Sequence, residues 1–210
     1  MNPARSILVG AASLGLLWSV AAAAPPTGAP PNLRFEAVPV GDYTVEPSHT
    51  RILFSLSHLG LTTWYGDFSG ASGAAKIDPA HPSASSVEIS IPTDSVSTTN
   101  TVLDAELKGD KWLDAARFPT ITFKSRKLKV LGPNRGEILG DLTFHGVTRP
   151  VTLQVRFNGS GKVVPQIPYT AGFEAVARIK RSDFGVSSYV PLVGDDVTVN
   201  ISAAFTRNPG

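Results

Sequence analysis

Four histidines, a scatter of carboxylates and one compact charged cluster are the residues of this chain with types suited to chemistry. His49, His58, His81 and His145 would have to supply any metal site, yet none of their spacings resembles a zinc ligand set, and the 210 residues contain no cysteine. Asp94, Asp104, Asp110 and Asp114 crowd one segment, where helix caps and solvated faces account for them, and no neighbour can be assigned to tune one for acid–base work. No serine lies in a Gly-x-Ser-x-Gly elbow, and Gly70–Gly73 lacks the strand-to-helix setting of a phosphate loop. These patterns argue against an enzyme, and no cofactor is expected. Two features stay open as ligand contacts. His58 sits on an apolar strand face, where it is either a hydrogen-bonded core histidine or a contact to a polar group. In the run Lys180-Arg181-Ser182-Asp183-Phe184-Gly185, a cation would meet an anionic head group at a barrel mouth, or an Arg181–Asp183 pair and a Phe184 plug would fix a corner. Trp64, Tyr65 and Trp112 read as rim or core packing.

The elements that must position these residues are strands. Ile138, Gly140, Leu142 and Phe144 alternate with Leu139, Asp141, Thr143 and His145, and Val151, Leu153, Val155 and Phe157 alternate with polar residues, so this stretch reads as an antiparallel hairpin. Gly146–Arg149 is expected to form its turn, with Pro150 opening the second strand. The same period of two recurs at Ile52/Phe54/Leu56/His58, Val87/Ile89/Ile91, Ile121/Phe123/Ser125, Phe173/Ala175/Ala177/Ile179 and Val197/Val199/Ile201/Ala203. Weaker runs at 43–46 and 67–77 bring the total to about eight or nine strands, the pattern of an all-β barrel or sandwich. A single helical insertion interrupts them. Thr98, Thr99 and Asn100 are candidate N-caps, Val102, Leu103 and Leu107 share a face, and Gly109 ends it. Asp110 then caps a second short helix carrying Trp112 and Leu113.

Before the strands, Arg5, the 14-residue apolar run Ile7–Val20 and the alanines 21–24 form the pattern of a signal peptide, with cleavage expected after Ala23. Five prolines between 24 and 41 predict an extended tether, and the domain is expected to span 42–206, one core without disulfides. A net charge of +2 without clustered Arg and Lys gives no reason to expect nucleic acid.

Several motifs in this order resemble the YceI-like family of polyisoprenoid-binding proteins: Glu-Pro-Ser-His at 46–49, Ser-His-Leu-Gly at 57–60, Gly66-Asp67-Phe68, LDAARFPTITFKS from Leu113, GDLTFHGVTRPVTL from Gly140 and IKRSDFG from Ile179. The resemblance implies an antiparallel lipocalin-like barrel of about eight strands with a long apolar cavity. It also implies a periplasmic location and an isoprenoid ligand, a polyprenyl phosphate or a quinone, carried or stored by its tail. One departure is visible. Where the family often has Arg-Asp-x-His-Leu in the helical insertion, this chain has Leu103-Asp104-Ala105-Glu106-Leu107, so no head-group role passes to that helix.

The inward faces allow two interiors. Gly140, Ala175, Ala177 and Ala203 among large neighbours leave a channel or fit a tapering packed core, and the resemblance favours the channel. The expected ligand contacts are Phe54, Leu56, His58, Ile89, Phe123, Leu142, Phe144, Phe173, Ala175, Ile179, Arg181 and Phe184. The alternatives are an outer-membrane barrel, against which the polar C-terminus argues, and a packed barrel acting through protein partners. Stable membrane insertion is not expected, and a homodimer is compatible with the sequence but not demanded by it.

Overall fold

The structure, a computed structural model, describes residues 29–164 and 166–209; the expected signal peptide lies outside the described residues. Ten strand segments and one helix follow in order: β1 (Gly41–Val45), β2 (Arg51–His58), β3 (Thr62–Phe68), β4 (Ser72–Ile77), β5 (Ser86–Pro92), α1 (Thr101–Lys108), β6 (Thr120–Gly132), β7 (Arg135–Phe144), β8 (Val147–Gly161), β9 (Thr170–Lys180) and β10 (Asp196–Arg207). All pairings are antiparallel. β10 closes the sheet on itself, because its last residues pair with β1 while Thr198–Ser202 pair with β2. β1 and β2 thus form one bent stave, and their partners β4 and β3 form a second, so the wall is a closed antiparallel barrel of eight staves.

The bend in the first stave has a local cause. Glu46 accepts from the amides of Ser48 (3.1 Å) and His49 (2.9 Å), stabilising a single 3-10 turn at Pro47–His49. The buried Thr50 hydroxyl donates to Glu46 O and accepts from the Ala204 amide, tying the bend to β10. Beyond the bend, β3 no longer has β5 beside it. A single bridge, Asp67 with Ser97, spans that seam, and the segment from Thr93 to Pro119 fills it.

That segment closes one end of the barrel. Asn100 caps α1 by accepting from the Val102 and Leu103 amides, and Gly109 follows its last residue, as the residue pattern predicts. Two expectations need correction. Val102 is exposed rather than on the packed face, and no second helix follows. Residues 110–117 instead form successive turns whose amides fold back on α1, as in Leu113 N to Leu107 O (3.0 Å) and Ala115 N to Lys108 O (3.0 Å). Trp112 and Leu113 are nonetheless buried, and the Trp112 indole donates to Glu106 (3.0 Å).

The β7–β8 hairpin is tighter than the four-residue turn expected. His145 and Gly146 alone make it, both with positive φ (50° and 74°), and Phe144 pairs directly with Val147. Such a two-residue turn matches the right-handed twist of the strands it joins. His145 is therefore a turn residue, not a strand residue on the wet face. Pro150 lies inside β8, opposite Asp141, where β9 does not pair: the β8–β9 ladder begins only at Gln154. A proline there removes no ladder bond on the open edge.

Candidate functional site

The inward faces of the staves enclose a cavity of about 400 Å³ running along the barrel axis. Its two ends differ. At one end the lining residues Val96, Trp112, Leu113, Arg181 and Val186 are all buried; this end is closed. At the other, the lining includes exposed residues at the strand ends that flank the β4–β5 and β6–β7 connections, among them Lys76, Ser86, Lys129, Val130 and Arg135; this end is the mouth. Between them the wall is aliphatic and phenyl.

Of the twelve expected contacts, ten line this cavity: Phe54, Leu56, Ile89, Phe123, Leu142, Phe144, Phe173, Ala175, Ile179 and Arg181. His58 does not. It continues the inward face of β2 but lies past the cavity, where its ring stacks on Trp64 with centroids 4.0 Å apart and its backbone bridges to Val193. Phe184 also stands outside the lining. It is buried against the Phe144 ring, centroids 5.6 Å apart, and its carbonyl faces His145 Nδ1 at 3.2 Å.

Arg181 lies at the closed end, not at the mouth, because β9 runs from the mouth towards α1. Its guanidinium does not pair with Asp183. Nε donates to Gly194 O (2.9 Å), Nη1 to Val186 O (2.9 Å), and Nη2 to Ser188 O (2.8 Å) and Val193 O (2.7 Å). The Trp112 ring covers it at 5.3 Å. Burial pulls its pKa below the ordinary arginine range, and the nearby Asp195 carboxylate opposes that pull. For Asp195, burial acts upward, but the Ser182 amide and hydroxyl, with Lys180 and Arg181, outweigh it and hold the carboxyl below the usual carboxylate range. Four donors committed to loop carbonyls make Arg181 the pin of a plug, with little capacity left for a ligand anion.

The small residues do not all make space. A Cβ on Gly140 would stand 2.4 Å from Phe123 Cζ and 2.6 Å from Lys124 O, so the Phe123 ring occupies that position and Gly140 adds no room. Ala175, Ala177 and Ala203 do line the cavity. Many lining residues lie outside the expected set, among them Leu107, Trp112 and Leu113 of the plug, and two further regions come from segments whose role the residue pattern hides. Leu128 and Val130 come from an extension of β6 beyond Ser125, after a register shift at Arg126 that reverses the alternation; the repeat Lys127-Leu128-Lys129-Val130 carries that signal. Phe35 comes from the segment expected as a tether, and it packs edge-on against Phe157 at 5.6 Å.

The remaining chemistry candidates stand apart. His49 pairs with Glu46 on the surface, and His81 faces Asp78 at 3.3 Å. Asp104 accepts from the Thr98 hydroxyl (2.7 Å) and amide (2.6 Å), bonds that hold its carboxyl below the usual range and staple the entry to α1.

Known proteins share this architecture. The YceI-like domain matches residues 43–205. A UPF0312 protein of Azotobacter vinelandii is 35% identical over 168 residues, covering 79% of this chain and 87% of that protein. The crystal structure of BcnA from Burkholderia cenocepacia superposes with a TM-score of 0.69 at 25% identity, covering 76% of this chain and 98% of the other. A polyisoprenoid binding domain from Saccharophagus degradans shares the fold, with a TM-score of 0.61 at 13% identity over 81% of this chain and all of that one. From Tyr43 to Phe205, the eight-stave barrel with its helical plug is a YceI-like domain, and the chain belongs to that family.

Proposed function

We propose that this protein binds an isoprenoid lipid, with the apolar tail in the barrel and the polar head at the mouth. The observation that carries the reading is the polarity of the cavity along its axis: aliphatic and phenyl walls, a closed apolar end, and charged or hydroxyl side chains towards the opening, apart from the carbonyl-bound Arg181 and the buried Thr50, whose hydroxyl is spent on Glu46 O and the Ala204 amide. A slender amphiphile fits that gradient. The volume of about 400 Å³ lies within the range of small-ligand cavities. From Gly136 at the mouth to Phe144, eight steps along a tilted strand correspond to roughly 20 Å of axial depth. Each buried methylene contributes about 0.8 kcal/mol, so an isoprene unit of five carbons contributes about 4 kcal/mol before the cost of ordering the chain.

Polyprenyl phosphates and quinones both meet these requirements, and the likeness to a domain described as polyisoprenoid binding supports the class. We read the role as carriage or storage of the ligand by its tail. The outer-membrane alternative fits the surface poorly: the outward faces of β6, β8 and β9 carry Lys124, Gln154, Arg156, Glu174 and Arg178, all exposed, where a membrane barrel needs an apolar band. Among the described residues no helix is long and apolar enough to cross a membrane. The N-terminal pattern supports action in the periplasm.

The test is native mass spectrometry of protein exported with its own N-terminal segment, followed by organic extraction of what it carries. A stoichiometric isoprenoid is the expected result. Protein that carries no lipid and takes up neither decylubiquinone nor a polyprenyl phosphate would defeat the reading.

A further inference from the structure

Residues 29–40 precede the family domain, and the expectation of an extended tether describes them poorly. Asn32 forms a two-bond bridge with Ser160 at the end of β8 (2.7 and 2.9 Å). Phe35–Ala37 make a 3-10 turn, and Val38 is buried. The chain then enters β1 at Gly41, whose φ of 154° only glycine adopts readily. Near that root, the fully buried Tyr43 donates its hydroxyl to Pro39 O at 2.8 Å. This strap crosses the mouth.

Its grip there comes from few groups. The Phe35 ring lies edge-on to Phe157 and Phe173, with centroids at 5.6 and 6.4 Å, and it lines the cavity. Asn134, in the β6–β7 turn, holds the strap with both ends of its amide: Nδ2 donates to Leu33 O (2.6 Å), and Oδ1 accepts from the Phe35 amide (3.0 Å). Asn134 has a φ of 58°, a left-handed position that glycine fills as well or better; the side chain is what glycine lacks. Below the strap, a Cβ on Gly159 would stand 3.2 Å from Leu33 Cδ2 and 3.3 Å from Asn32 O, so the strap lies flush on β8. Leu33, Arg34, Glu36 and Ala37 are otherwise exposed.

We propose that the strap Asn32–Ala37, hinged at the buried Val38, is the gate of the cavity, with Phe35 as its stopper, and that its release from Asn134 and Ser160 sets the rate at which an apolar ligand enters and leaves. The proposal rests on the cavity being the binding site. Val38, buried in the core, anchors the strap at its C-terminal end. Ahead of it, two aromatic contacts, two amide bonds and one bridge are a small attachment compared with the barrel wall, so residues 32–37 open locally while the staves stay paired.

The chain has no cysteine, which permits a clean lock. Asn32 and Ser160 exchange both backbone bonds, a pairing that places their Cα atoms about 5.5 Å apart and within disulfide reach. In the double variant Asn32→Cys/Ser160→Cys, release of N-phenyl-1-naphthylamine, a neutral apolar dye, is followed by stopped-flow fluorescence in oxidised and reduced forms of the same polypeptide. Oxidation is expected to slow release by about tenfold or more, and reduction to restore it. Phe35→Ala and Asn134→Gly are expected to speed release by about threefold or more. Equal release rates in the oxidised, reduced and Phe35→Ala proteins would overturn the gate while leaving the cavity reading intact. No dye uptake by any form would overturn both.

Discussion

The two ends of the barrel solve opposite problems with different chemistry. At the closed end, a cation is buried and every contact is fixed: Arg181 binds four carbonyls from the loop after β9, Trp112 covers it, and Ser182 and Asp195 add two further bonds. At the mouth, exposed Lys76, Lys129 and Arg135 surround the opening, and the strap is held by an asparagine amide, one phenyl ring and the Asn32–Ser160 bridge. One end needs permanence and the other exchange. A buried guanidinium without its carbonyls is costly, so the plug opens only with the fold, whereas a few exposed bonds release on their own.

The comparison can be broken most severely at Arg181. Arg181→Met leaves four loop carbonyls without donors, and a loss of about 3–5 kcal/mol in urea unfolding is expected; retention of wild-type stability would remove the pin. The next largest effect concerns binding. Ala177→Phe places a ring inside the cavity beside the closed end, and it is expected to lower decylubiquinone uptake by about tenfold or more while thermal stability is kept or raised. Undiminished uptake would show that the ligand lies elsewhere.

Acid sharpens the difference between the ends. The folded-state pKa of Asp195 is lowered, so its stabilisation is fully present above the ordinary carboxylate pKa and is lost as pH falls through the lowered folded value. Asp195→Asn should flatten that part of the stability profile, and a profile parallel to wild type would contradict the assignment. The smallest effect belongs to the mouth: Arg135→Ala, at an exposed rim position, is expected to change unfolding stability by less than about 0.5 kcal/mol. A larger change would mean that the rim, too, is structural.

The wall was legible in the amino-acid sequence because alternation reports burial directly. Ile52, Phe54 and Leu56 face inward on the structure as they do in the pattern, and the same holds for Leu142 and Phe144 or Ala175 and Ile179. Readings failed where a residue's role depends on long-range geometry. His58 continues the inward face, yet nothing local says that β2 outruns the cavity. Arg181 ends a strand, but which end of the barrel that is follows only from tracing β9 alongside the segment that carries α1. Arg126 shifts the register of β6, and a search for strict period two stops at Ser125. The prolines before Gly41 read as a tether and obscure Phe35, whose partners Asn134 and Phe157 lie about a hundred residues or more away. His145 reads as a strand residue because alternation continues through it, and alternation carries no sign of the positive φ that makes it half of a two-residue turn.

The central claim is an orientation: tail at the closed end, head at the mouth. It is tested most directly with a geranylgeranyl phosphate carrying a diazirine at the tail terminus, photolysed on the protein, with the crosslinked residues identified by peptide mass spectrometry. Labels concentrated on Leu107, Trp112 and Leu113 at the closed end are the predicted result. Labels confined to Val130, Arg135 and the other residues of the mouth, or spread over the outer wall, would contradict it.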